Sequence, residues 1–186
     1  MNRQSNENCR KDFSCGSNCV STIPSNAISL ANAIRHKTPD ARAVIKGGNG
    51  FDEICGTVLF YQQKCSVFVV ADIHNLPKSD KYESIFAFHI HSKESCTGNS
   101  ENEFANVKAH YNPDNKKHPH HKGDLPPLFG NEGKAFSAFL TDRFTVKEIV
   151  GRTVIIHSSP DDFTTQPSGN SGEMIACGEI KQQIKY

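Results

Sequence analysis

An all-β domain, an antiparallel β-sandwich or barrel, is what this sequence predicts. Three observations carry that expectation. From Ala41 onward, short runs rich in β-branched and aromatic residues recur between turn residues, which is the pattern of many short strands. Helical periodicity is nearly absent from the same stretch. Finally, two long segments, Cys96 to Gly130 and Ser158 to Gly172, lack strand periodicity yet hold polar, chemistry-bearing residues. Loops that long in a compact domain are usually functional or disordered.

The elements follow in order. Residues 1–40 read as a separate polar extension. Within it Pro24-Ser25 could start a short helix, with Ser25 as N-cap and Ile28, Ala31 and Ile34 on its apolar side. Residues 41–186 form the domain proper. Strands are expected at Ala43–Lys46, Ile54–Tyr61 and Ser66–Asp72, with Gly47-Gly48-Asn49-Gly50 and Gln62-Gln63-Lys64 as breaks. Further strands are expected over Ile85–His91, Lys134–Leu140, Thr153–His157 and Ile175–Ile180. No internal repeat is visible.

Composition narrows the function classes. The formal charge is +1, so nothing points to nucleic acid or an anionic membrane surface. No apolar run is long enough to span a bilayer, and the first thirty residues lack the apolar stretch of a secretory signal, so a cytoplasmic location is expected. Seven cysteines leave at least one unpaired. Cys9, Cys15 and Cys19 crowd the extension at spacings that match no standard zinc module; a disordered tail is the plainer expectation, a thiolate site for soft metal the sharper one. Cys55 and Cys65 flank a hairpin without being cross-strand partners, and are expected as buried or half-buried free thiols.

The histidines are the strongest signal. They fall in Phe88-His89-Ile90-His91, in His110-Tyr111-Asn112-Pro113 running on to His118, in His121-Lys122-Gly123-Asp124, and at the end of Gly151-Arg152-Thr153-Val154-Ile155-Ile156-His157. Residues two apart on a strand share a face, so His89 and His91 look one way while Phe88 and Ile90 face the core. Imidazole suits copper and zinc, and a carboxylate beside histidines favours zinc over copper. One such histidine alone would be read as a surface or core-satisfying residue; the ordered set reverses that reading.

Together with Gly169-Asn170-Ser171-Gly172 and Ile175-Ala176-Cys177-Gly178, these motifs resemble the copper/zinc superoxide dismutase family from about Ala41 to Ile180. The resemblance implies a Greek-key β-barrel of about eight antiparallel strands, with two long loops framing a metal site on its outside. It implies superoxide as substrate and copper and zinc as cofactors, with a homodimer as the candidate assembly. Copper ligands would be His89, His91, His110 and His157; zinc ligands would be His110, His118, His121 and Asp124. His110 then bridges the two ions and, in catalysis, takes and returns a proton. His121 is preferred to His120 because the family spacing is His-x-x-Asp. Asp161 matches the carboxylate that links one copper histidine to one zinc histidine, and Cys96 and Cys177 match the intrasubunit disulfide, worth about 2–4 kcal/mol.

The sequence also departs from the family. Met174, preceded by Glu173, stands where the family places an arginine that draws in the anion. Phe163 to Gly172 holds no Lys or Arg. Ala87 replaces a frequent Gly, and the stretch between Cys96 and His110 is longer. Slowed dismutation is therefore expected. The alternative expectation is a metal-binding protein on the same barrel with vestigial activity.

Overall fold

The computed structural model describes residues 37–78 and 84–184. The proposed helix on Ile28, Ala31 and Ile34 and the extension's cysteines lie outside the described residues. Nine strands are described: β1 (Ala41–Gly47), β2 (Cys55–Gln62), β3 (Val67–His74), β4 (Ile85–Phe86), β5 (Phe88–His91), β6 (Leu128–Phe129), β7 (Lys134–Thr141), β8 (Thr153–His157) and β9 (Met174–Gln182). Seven pair in the order β5-β8-β9-β1-β2-β3-β7, and β4 pairs with β6. Every pairing is antiparallel. β1, β2 and β3 form a meander; the chain then crosses to the opposite edge for β5 and returns for β7, giving Greek-key connectivity. β6 lies against β7, and β4 runs on into β5, so the curled sheet is drawn round toward closure.

The alternation that marks β1 in the sequence is the alternation of its burial: Ala41, Ala43 and Ile45 point inward while Arg42 and Lys46 point out. The core takes Val58, Phe60, Val69, Ile73, Phe86, Phe88, Ile90, Val154 and Ile156, one inward face from each layer of the barrel. A strand buried on both sides reads instead as a continuous apolar run. β8 has all five residues buried, with Val154-Ile155-Ile156 as its apolar run between Thr153 and His157, because one face meets the core and the other carries the site.

Three details differ from the expectation. The run Ile85–His91 is two strands rather than one, since Ala87 leaves the ladder: its N–H donates to the Ser159 carbonyl at 2.9 Å and its carbonyl accepts from His157 N–H at 2.9 Å. A helical turn, α1 (Val146–Ile149), was not expected; Thr145 and Glu148 cap it reciprocally, Glu148 Oε2 accepting from Thr145 N–H at 2.7 Å. Among the cysteines, Cys55 is a free but exposed thiol at the first position of β2, and Cys65 is disulfide-bonded, so neither is the buried free thiol expected.

Candidate metal centre

β5 and β8 lie side by side, Phe88 opposite Ile156 and His91 opposite Thr153. Their outward faces bring His89, His91 and His157 together. The fourth histidine, His110, arrives from the loop, which uses the free edge of β5 as a template. Ile90 N–H donates to Gly123 carbonyl at 2.8 Å, Tyr111 N–H donates to Ile90 carbonyl at 2.8 Å, and Gly123 N–H donates to Tyr111 carbonyl at 2.9 Å. Gly123 permits this approach, because a Cβ there would sit 2.2 Å from the Ile90 carbonyl oxygen. Arg152 stacks 3.8 Å above the Tyr111 ring and donates to the carbonyls of Glu148 and Ser92, which fastens the loop to β8.

Each histidine of the first group has one ring nitrogen spoken for and one bare. His89 Nε2 donates to Asp161 Oδ2 at 2.8 Å, His91 Nδ1 to the Lys108 carbonyl at 2.6 Å, and His157 Nδ1 to the Gly172 carbonyl at 3.4 Å. The opposite nitrogens, His89 Nδ1, His91 Nε2 and His157 Nε2, are buried without partners, as is His110 Nε2. Buried polar atoms without partners are rare in folded proteins. Four of them on one cluster, each presenting a lone pair, form a donor set for a metal cation.

The second group shares His110. Its Nδ1 lies 2.7 Å from Asp124 Oδ1 and 3.5 Å from His121 Nδ1, while His118 Nδ1 lies 3.2 Å from Asp124 Oδ2 and His121 Nδ1 lies 3.3 Å from Asp124 Oδ1. The His118 contact lacks hydrogen-bond geometry, and that nitrogen counts as unpartnered. Tetrahedral zinc with bonds of about 2.0–2.1 Å holds its donors roughly 3.3 Å apart. Three histidines and one aspartate at such separations fit that ion. In each group the donor atoms, one per residue, all lie within 4.8 Å of one another.

Asp161 stands behind both groups, with Oδ2 on His89 Nε2 and Oδ1 on His118 Nε2, each at 2.8 Å. Phe163 N–H donates to the same Oδ1 at 2.7 Å. Gly169 makes room: it has φ of +72° and a Cβ there would fall 2.0 Å from Asp161 Oδ1. A carboxylate so placed fixes both rings and their tautomers.

Electrostatics agree. Burial holds His157 down to about 3 and His91 well below the ordinary imidazole value; His89 is lowered by the same cause, against its bond to Asp161. Burial alone would raise Asp124, but the hydrogen bond and charge of His110, with His121, pull it down to about 2. The cluster is thus three neutral imidazoles around one face and an ionised carboxylate on the other.

All the residues proposed as ligands from the sequence converge here; His120 is exposed and outside both groups. Cys96 and Cys177 form a disulfide with a Cα separation of 5.8 Å, joining the loop to β9. Met174 is half-buried at the start of β9, packed with Phe104, Val107, Ile155 and Cys177. Two supporting residues were missed. Gln166 clasps the His118 backbone, accepting from its N–H at 3.0 Å and donating to its carbonyl at 2.8 Å. Arg143 Nη1 donates to the carbonyls of Pro119, His121 and Asp124 at 3.0–3.1 Å. No sequence signal marks either, since both act on backbone carbonyls or amides of a distant loop.

The barrel thus carries two adjoining buried donor groups, each able to hold a metal ion, that share His110 and are backed by Asp161. The sequence profile of copper/zinc superoxide dismutase (SODC) matches residues 54–180. The chain is 30% identical over 144 residues to "Superoxide dismutase [Cu-Zn] 2" of Aquifex aeolicus, covering 69% of this chain and 80% of that protein. It is 31% identical over 140 residues to the enzyme of Photobacterium leiognathi named "Superoxide dismutase [Cu-Zn]", covering 68% and 78%. In fold it matches the Cu/Zn superoxide dismutase from Brucella abortus with a TM-score of 0.65 at 23% identity, over 76% of this chain and 99% of that one. The chain belongs to the copper/zinc superoxide dismutase family, whose enzymes are oxidoreductases that use copper and zinc. No described helix is long and apolar enough to cross a membrane.

Proposed function

We propose that this protein disproportionates superoxide to dioxygen and hydrogen peroxide, at a rate lowered by Met174. The observation that carries this reading is the set of four unpartnered nitrogens, His89 Nδ1, His91 Nε2, His110 Nε2 and His157 Nε2, facing one another in a buried cluster. These four residues would hold copper. His110, His118, His121 and Asp124 would hold zinc. Copper bound there would supply one-electron redox chemistry, oxidising one superoxide and reducing the next, with two protons consumed in each full cycle.

The chain's own residues do the rest. Asp161 holds the rings of His89 and His118 at fixed orientation through both oxygens. The Lys108 and Gly172 carbonyls hold His91 and His157 in the tautomers that leave their Nε2 atoms bare. His110, set by Asp124 on its Nδ1 side, has an Nε2 atom able to hold a proton and hand it to a nascent peroxide. The disulfide between Cys96 and Cys177 tethers the loop that carries His110.

Met174 cannot guide an anion as an arginine would. It packs against the cluster of Phe104, Val107, Ile155 and Cys177, and the 163–172 loop has no cationic side chain. Steering by charge raises on-rates by roughly 10–10³, so encounter with superoxide slows while the donor set is unaffected. That same observation favours a second reading, a copper- and zinc-binding protein with vestigial dismutation. Metal analysis paired with superoxide decay on the copper- and zinc-loaded protein separates the two. One copper and one zinc with measurable turnover supports the enzyme; full loading without turnover supports the second reading.

A further inference from the structure

Lys108 stands in a backbone conformation that a lysine has no reason of its own to adopt. Its φ of +64° and ψ of −155° lie in a region that belongs essentially to glycine, where a Cβ is strained. Hydrogen bonds on both sides hold it there: Lys93 N–H donates to the Val107 carbonyl at 3.1 Å, and Ser92 N–H to the Ala109 carbonyl at 2.9 Å. This conformation aims the Lys108 carbonyl at His91 Nδ1, 2.6 Å away. Glycine would present the same carbonyl without strain, so the carbonyl does not account for a lysine. What the lysine adds is its side chain. That side chain is exposed and makes no ion pair or hydrogen bond among the described residues. It is also the only Lys, Arg, Asp or Glu between Phe104 and Tyr111.

The position of that charge is informative. Lys108 lies one hydrogen bond from His91 and two residues before His110, both of the copper set. Met174 packs against the cluster that includes Val107, the residue just before it. The chain therefore carries a cation on the segment against which its uncharged residue 174 rests. We propose that Lys108 is the cation that draws superoxide to the copper set, a role that rests on the dismutase reading above. The anion needs no bond to it, because attraction between charges in solvent reaches about 8–10 Å at ordinary salt. A single charge acting through water at about 4–8 Å changes the affinity of an anion roughly two- to sixfold. Glu173, exposed next to Met174, opposes it. Lys108 thus restores part of the attraction that position 174 does not supply.

The test compares side chains that leave the backbone as it is. Lys108→Gln and Lys108→Arg both keep a Cβ at this position and differ in charge. Each full-length protein is loaded with copper and zinc, and azide is titrated onto the cupric form and followed by its absorption. At low salt Lys108→Gln should bind azide roughly two- to sixfold more weakly than the parent, and Lys108→Arg should match the parent. At about 0.5 M salt the difference should close. Superoxide decay should follow the same order. Equal azide affinity in Lys108→Gln and the parent overturns the proposal. So does a loss that persists at high salt or that Lys108→Arg shares, since either marks a structural role. Lys108→Gly adds a readout on the metal-free protein: its urea midpoint should rise as the strain is relieved, while its azide affinity falls like that of Lys108→Gln. A glycine variant no more stable than the parent overturns the proposal, because the lysine would then be held there at no cost. Should the loaded parent fail to dismutate superoxide, the dismutase reading fails by itself, and the azide comparison still decides whether Lys108 attracts anions.

Discussion

Replacing Asp161 should separate the two metal sites in a way that depends on the replacement. The carboxylate accepts from His89 Nε2 through Oδ2 and from His118 Nε2 and Phe163 N–H through Oδ1. Asp161→Ala removes both ring contacts. Loss of such outer partners typically costs 10–100-fold in metal affinity, about 1.4–2.7 kcal/mol, and here both sites should show it. Asp161→Asn is sharper. An amide offers one acceptor, and its oxygen should stay at the Oδ1 position, where two donors converge. Its NH₂ then faces the N–H of His89, so donor meets donor and the ring turns or changes tautomer. Copper affinity should therefore fall by the full 10–100-fold, and zinc affinity by less than about tenfold. Chelator competition measures both constants, and electron paramagnetic resonance of the cupric form reports any change at His89. The reasoning is refuted if Asp161→Ala leaves both affinities intact, or if Asp161→Asn weakens zinc and spares copper.

Other consequences follow from the same geometry. His110→Ala should weaken copper and zinc together, each by more than about tenfold, as read by metal titration; independent sites would show one constant unchanged. For the Cys96→Ser, Cys177→Ser double variant, a closed loop of 81 residues separation gives roughly 4.5 kcal/mol by the chain-entropy model, seen as a lower urea midpoint, and a loss under about 1 kcal/mol would contradict it. In the metal-free protein, burial lowers His157 to about 3 from an unfolded value near 6.5. Its contribution is thus fully present above pH 6.5 and is lost as pH falls toward 3, at about 1.4 kcal/mol per unit; urea midpoints measured between pH 7 and 4 should drop, and flat midpoints would count against a buried neutral imidazole. Met174→Arg should raise the superoxide-decay rate by up to roughly 10–10³, less at high salt, and Glu173→Ser should add to the gain; an inert copper-loaded variant would leave the metal-binding reading in place.

What could be read from the sequence, and what could not, divides along the range of the interactions. Strands were legible because their signal is local: β1 alternates, β8 carries the β-branched run Val154-Ile155-Ile156, and His-x-His on β5 inherits the period of two that places both rings on one face. The break at Ala87 was not legible, because it depends on hydrogen bonds to Ser159 and His157, some seventy residues away in chain order. The α1 turn was legible in principle, for Thr145 and Glu148 carry the spacing of a reciprocal cap, but four residues of helix leave no periodicity to notice. In the site, residue type and order pointed to His89, His91, His110, His118, His121, Asp124 and His157. The roles of Gln166 and Arg143 could not be foreseen, since a side chain that holds the carbonyls of another loop leaves no pattern of its own. Gly123 and Gly169 lie between these cases. Each stands in a motif visible in the sequence, yet the reason for glycine is a backbone at Ile90 and a carboxylate at Asp161 that would occupy the place of a Cβ. The donor atoms are thus specified locally, while their aim is set by contacts between loops, and it is the aim that gathers seven polar side chains into two adjoining groups able to hold metal.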